Sequence, residues 1–280
     1  MFRLNIFIFT LFCFVLGLSC TCIAQQDSSR QLSIPQIIFN DLEDAVSDGA
    51  AFYSAPFEFT ESDLIFVGGM LGGTALAMLI DESVDEMILR NKRPTFFYDG
   101  AYYISKYGRV LYASLFASAL YATGLFTGED ELRTTGRLML EAMAFAGTLS
   151  LPMQIGFGRE RPYAGNGAWR YRGVQWDDEY QAFPSGHMTI AFAFSTVLAE
   201  RVKSPVLRTL IYTVAGLSGA ALIYRNQHWT SDIVFGSVFG IASGLFITSR
   251  EEMKRGVRSA ESSGWRLIPS LHRVSLVYVF

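Results

Sequence analysis

Apolar runs alternate with short charged breaks along most of the chain. The runs are Leu64–Ile80, Val110–Thr127, Leu138–Phe157, Met188–Ala199, Val206–Tyr224 and Ile233–Thr248. Charged residues follow each one, for example Asp81 and Glu82, Glu129 to Glu131, Arg159 to Arg161, and Arg250 to Glu252. Runs of this length, bounded by charge, predict six helices. Seventeen helical residues span about 26 Å, near the lower limit for a bilayer core of about 30 Å. The runs are rich in Gly, Ala, Ser and Thr, which suits close packing of helices in a membrane or in a buried bundle. Met188–Ala199 is short for a span unless it extends toward Ser185.

Both ends of the chain break this pattern. Arg3, the apolar stretch Leu4 to Leu18 and the small residues up to Ala24 have the layout of a secretory signal, giving a segment 1–24. An uncleaved anchor helix and a lipoprotein site at Cys20 are the alternatives. Residues 25–63 are polar. Within them Ile34 to Val46 has amphipathic helical spacing with an acidic face of Asp41, Glu43 and Asp44, expected to pack on the domain. The helical core is placed at 64–249 and a tail at 250–280. In that tail Trp265–Pro269 and Val274–Phe280 alternate or run apolar around a polar break, which reads as a β-hairpin.

Composition narrows the classes. The 280 residues are 50% hydrophobic and only 18% charged, which excludes a disordered chain. A formal net charge of −3 offers no global basic field for nucleic acid. All three cysteines, Cys13, Cys20 and Cys22, precede Ala24, so removal of the signal leaves no thiol chemistry.

Three clusters carry candidate chemistry, and all lie where apolar runs end. They are Gly158-Arg-Glu-Arg-Pro-Tyr163, Phe183-Pro-Ser-Gly-His187 and His228-Trp-Thr-Ser-Asp232. At a helix start, free N–H groups and the dipole favour an anion. Ser185 can cap or donate there, Gly186 lets a ligand approach the backbone, and His187 stands ready with a transferable proton. A plain N-cap with a chance histidine explains the same residues. His228 and Asp232 are four apart, so on a helix the carboxylate can hold one imidazole nitrogen and leave the other free to attack. A salt-bridged helix start is the alternative. The absence of a His-x-x-x-His pair argues against zinc, and no cofactor is expected. His272 has no such company and reads as a surface residue.

In order and spacing, these clusters resemble the type 2 phosphatidic acid phosphatase / vanadium haloperoxidase superfamily over roughly residues 64–248. Its signature is a Lys, six residues and Arg-Pro; then Pro-Ser-Gly-His; then Ser-Arg, five residues, His, three residues and Asp. Arg161-Pro162, Pro184–His187 and His228 with Asp232 match. The resemblance implies an all-α, six-helix bundle of that type, carrying the C-terminal hairpin as an addition. It implies a phosphohydrolase in which His228 attacks phosphorus, Asp232 orients it and His187 protonates the leaving group. Arg161, Ser185 and Gly186 would hold the phosphoryl oxygens. The substrate would be a phosphorylated lipid or a small phosphomonoester, and the apolar runs favour a lipid at a membrane.

Two motif positions depart from the pattern. The Lys position holds Gln154 and the Arg position holds Leu222, preceded by Ala221. Phosphoryl transfer depends on stabilising charge on three oxygens, so these losses matter. They motivate a second reading, a weakened relative that binds an anion or headgroup or serves the envelope structurally. They also disfavour vanadate-dependent halide oxidation. Gln154 can still donate a neutral hydrogen bond, and Arg225, three residues from both Leu222 and His228, is the candidate replacement cation. The resemblance implies an exported, envelope protein with a periplasmic site. A cleaved signal followed by six spans would instead put the 158–187 loop and the 225–232 turn in the cytoplasm.

Overall fold

The computed structural model describes residues 32–90, 95–259, 264–270 and 273–279. The signal segment and His272 lie outside these residues. The chain divides into two compact units, Met1–Ile38 and Phe39–Phe280. Only residues 32–38 of the first are described, including the start of a helix.

The described residues form nine α-helices rather than six. They are α1 (Ile34–Ser54), α2 (Glu61–Met78), α3 (Asp81–Arg90), α4 (Thr95–Ile104), α5 (Val110–Thr127), α6 (Asp130–Phe157), α7 (Gly186–Arg201), α8 (Pro205–Tyr224) and α9 (Thr230–Ser259). The fold is all-α in its core. Two C-terminal strands, β1 (Gly264–Ser270) and β2 (Arg273–Val279), pair antiparallel with Gly264 opposite Val279.

The additional helices have a local cause. Asp81 and Glu82, read as the charged stop of an apolar run, are the first turn of α3, where acidic side chains complement the helix dipole. Similarly, Arg250 and Glu251 do not end α9. Arg250 donates to Asp48 at 2.7 Å, Glu251 accepts from Arg137 at 2.5 Å, and Lys254 pairs with Asp48 at 2.8 Å. With its charges neutralised, the helix runs ten residues past the expected core boundary at 249. The acidic face of α1 is thus its packing face: Asp48 is buried, and Asp41 accepts from Arg133 and from the Tyr121 hydroxyl. A buried ion pair stabilises only as far as hydrogen bonds replace the lost water, and each of these carboxylates has at least one charged donor.

Helix α7 is the centre of the bundle. Ile190, Ala191, Phe194 and Val197 pack against Leu138, Met139, Ala142 and Ala146 of α6, Ala113 and Ala117 of α5, and Ile247 of α9. A stripe of Gly236, Gly240 and Gly244 lets α9 close on α7. A Cβ at Gly240 would lie 2.5 Å from the Thr189 carbonyl oxygen, and one at Gly244 2.7 Å from Thr196 Cβ. Such small-residue stripes let helix backbones approach in apolar surroundings.

Four described helices, α5, α6, α8 and most of α9, are long and apolar enough to cross a membrane, and the pair α2–α3, bent by 42°, passes the same test when its two helices are taken together as a broken span or a re-entrant loop. The short, central α7 is not among them. Outward-facing Leu64, Ile65, Leu115, Phe126, Leu151 and Leu210 remain exposed on these helices. Many large apolar side chains exposed along such helices are a liability in water and the normal exterior in lipid.

Candidate active site

The three clusters meet at one end of the bundle. Helix α6 stops at Gly158, whose φ of 55° is a left-handed cap that glycine adopts without strain. The chain then forms the 158–185 loop, enters α7 at Ser185, and returns through α8 to the turn that carries His228.

The loop is pinned from beneath by Arg159, which is fully buried. Its Nη1 donates to Asp232 Oδ1 at 2.6 Å and to Ser231 Oγ at 2.7 Å. Its Nη2 donates to Asp81 Oδ2 at 2.8 Å, and both Nε and Nη2 reach the Ala168 carbonyl. Asp81 in turn accepts from the backbone N–H of Ser231 at 2.9 Å and from its hydroxyl. One guanidinium therefore joins α3, the loop and α9.

His228 stands in the turn before α9 rather than on the helix itself. Its Nδ1 lies 2.9 Å from the Ala182 carbonyl oxygen and 3.7 Å from Asp232 Oδ2. A carbonyl only accepts, so Nδ1 carries the proton and Nε2 holds the lone pair. Nε2 is buried and has no hydrogen-bond partner among the described residues. Asp232, expected to orient this imidazole, also accepts from Arg159 and from the Trp229 N–H at 2.8 Å, while the Ala182 carbonyl accepts from Nδ1.

His228 borders a cleft of about 460 Å³ lined also by Arg109, Gln154, Arg161, Asp178, Gly186 and His187, among others. The two imidazole rings lie 6.0 Å apart, centre to centre. Burial, together with His228, Arg161, Arg109 and Arg225, pushes His187 down to about 3. Burial likewise lowers His228 below its usual value. Both imidazoles are neutral in the free site at neutral pH.

Arg161 reaches the cleft but is held by its neighbours. Its Nε donates to the Asp178 carbonyl at 2.8 Å, and its Nη2 to the Asp178 carboxylate at 2.7 Å. Ser185 is the N-cap of α7, with Oγ accepting from the Met188 N–H at 3.4 Å; it is fully buried and does not line the cleft. Gln154 donates from Nε2 to the Pro184 carbonyl at 2.8 Å and so braces the entry to α7. Leu222 is buried in the core. Arg225 is not among the cleft-lining residues: it donates to Ser105 Oγ at 3.0 Å and stands 4.9 Å over the Tyr102 ring. The spacing argument assumed a continuing helix, but α8 ends at Tyr224 and Asn226 turns the chain at φ 53°. Sequence reasoning missed Asp81, Ala182 and Arg109. The first and last come from distant segments, and the second acts through its backbone.

Gly186 provides a direct test of this packing. A Cβ there would lie 2.6 Å from Gln154 Nε2, the mobile end of that side chain. Gly186→Ala is expected to push the amide off the Pro184 carbonyl. It should cost about 1 kcal/mol in thermal or denaturant unfolding, and on the order of 10- to 100-fold in turnover through misplacement of His187.

Residues 135–255 match the family model described as the PAP2 superfamily. The chain is 35% identical over 104 residues to the lipid A 1-phosphatase of Porphyromonas gingivalis, covering 36% of this chain and 20% of that protein. The match thus spans a fifth of that curated relative's length. Among solved structures, the transmembrane PAP2-type phosphatidylglycerolphosphate phosphatase of Bacillus subtilis is similar at a TM-score of 0.50 and 17% identity, over 75% of this chain and 96% of that one. LpxE of Aquifex aeolicus aligns at a TM-score of 0.48 and 19% identity, over 60% of this chain and 94% of that one. The PAP2 superfamily match covers α7, α8, nearly all of α6 and α9 through residue 255, together with all three clusters.

Proposed function

We propose that the protein is a metal-independent phosphohydrolase that removes phosphate from a membrane-borne phosphorylated lipid through a phosphohistidine. The observation that carries this reading is the unpartnered, buried Nε2 of His228 in a cleft shared with His187 and Arg161. A neutral imidazole with its other nitrogen tied to a carbonyl is a competent nucleophile.

In the first step, the Nε2 lone pair forms a bond to phosphorus and the bond from phosphorus to the lipid oxygen breaks. The proton affinity of His187, low in the free site, rises when a phosphate brings its negative charge beside the ring, so His187 takes the proton of the bound phosphate monoanion. The departing lipid oxygen takes that proton from His187. In the second step, water adds to phosphorus, His187 accepts its proton, the N–P bond breaks to regenerate His228, and the departing phosphate carries the proton away. Arg161 and the N–H groups at the start of α7 stabilise charge on the transferring oxygens. Asp232 acts one residue removed, by fixing Arg159 and the His228 turn.

A lipid substrate is supported by the site's position at the ends of apolar helices and by the lipid A 1-phosphatase similarity. Placement in the cell envelope, with export, rests on the N-terminal apolar segment read from the sequence. The test is phosphate release from phosphatidate and from lipid A in proteoliposomes containing EDTA. Wild-type turnover should persist with the chelator and fall on the order of 100-fold in Arg161→Ala. A wild-type rate no higher than that of the variant would select the other reading, an anion- or headgroup-binding relative.

A further inference from the structure

Two cations line the cleft, and they are not equivalent. Arg161 already satisfies a carboxylate and a carbonyl of Asp178. The guanidinium of Arg109 has no hydrogen bond or ion pair to any described residue, and the residue is exposed at the cleft wall. Its position is fixed from behind. Gly108 packs so closely on α7 that a Cβ there would lie 2.1 Å from the His187 carbonyl oxygen. Arg109 is therefore one residue from the backbone of the proposed general acid.

Arg109 is also the N-cap residue of α5, an 18-residue helix, and makes no side-chain capping bond. The first-turn N–H groups of a helix have no intrahelical partners. Those of Val110, Leu111 and Tyr112 belong to residues that line the same cleft. The independent sign of a ligand is His228, 2% exposed, whose Nε2 is unpartnered in that cleft. The cleft thus gathers a cation unpaired among the described residues, two helix starts and an unsatisfied imidazole, which together suit a compact anion.

We propose that Arg109, with the uncapped first turn of α5, binds the reacting phosphoryl group and supplies positive charge that Gln154 and Leu222 do not. The proposal rests on the phosphohydrolase reading above. It gives the site a cation from a helix outside the three clusters. It also explains how two motif cations can be absent while the cleft still presents two guanidinium groups, Arg161 from the loop and Arg109 from the start of α5. Guanidinium is suited to this task because its planar donors meet two phosphate oxygens at once.

The test uses the full-length protein in detergent with a water-soluble phosphomonoester, p-nitrophenyl phosphate, so that no lipid headgroup contributes. Arg109→Ala should weaken inhibition by orthophosphate and by vanadate about tenfold or more and lower kcat/KM on the order of 100-fold. Arg109→Lys should recover part of both, as a charge role requires and a merely steric role does not. The unfolding midpoint should not move, because the side chain is exposed and unpaired among the described residues. Orthophosphate and vanadate inhibition within twofold of wild type in Arg109→Ala would overturn the proposal. If the wild type shows no turnover, a phosphorus NMR titration with orthophosphate separates the two readings. Weaker binding in Arg109→Ala then sustains the anion site although the phosphohydrolase reading fails. Equal binding overturns the site as well.

Discussion

His228→Ala is expected to fold and to lose at least about 1000-fold of its turnover, the scale set by removing a nucleophile while the binding groups remain. Among the described residues the side chain makes one hydrogen bond, from Nδ1 to the Ala182 carbonyl, so its removal leaves a small cavity and one unpaired carbonyl. The stability cost should be about 1–3 kcal/mol, far from the loss in rate. KM should change little, because Nε2 bonds to phosphorus only as the reaction proceeds. Turnover measured at saturating substrate, beside a thermal midpoint, separates the two effects. A variant with wild-type kcat would remove His228 from the chemistry.

Arg159→Met is expected to be the most destabilising single change at the site end of the bundle. The methionine fills much of the volume but leaves Asp81 and Asp232 buried without their cation. Breaking a buried pair on one side costs about 3–5 kcal/mol, because the remaining charge is uncompensated. Here two carboxylates and the Ala168 carbonyl lose their donor together. Adding Asp81→Asn should return part of that stability, and the difference measures the coupling. Activity should fall with stability and recover only partly in the double variant, since Asp232 still lacks its anchor at the base of the His228 turn. Additive losses in denaturant unfolding would show that Arg159 and Asp81 act independently.

The parts of the site that were legible in the sequence are those that act locally. Arg161, Gly186, His187 and His228 were marked by short motifs at helix ends, and all four line one cleft. The long apolar helices were equally visible, because burial or lipid exposure on every side requires near-continuous apolar sequence. The pattern failed where charge had two meanings. Asp81 and Glu82, and again Arg250 and Glu251, read as charge flanking apolar runs, yet in each case the helix uses them: a first turn in α3, an ion-pair face in α9. Long-range partners were not visible at all. Nothing local to Asp81 announces Arg159, 78 residues away, and nothing at Arg109 announces His187. The hydrogen-bond acceptor for His228 Nδ1 is a backbone carbonyl, which no side-chain pattern reports. For Arg225, the helix on which the spacing argument relied ends one residue earlier, at Tyr224.

The central claim is that His228 becomes phosphorylated during turnover. The most direct measurement is a rapid-quench reaction with phosphatidate carrying labelled phosphorus, followed by denaturing gel analysis of the protein. The account predicts label on the wild-type chain that survives alkali and is lost in acid, as a phosphorus–nitrogen bond requires, and no label on His228→Ala. Label of the same kind on His228→Ala, or full turnover by the wild type with no labelled protein at any quench time, would contradict it.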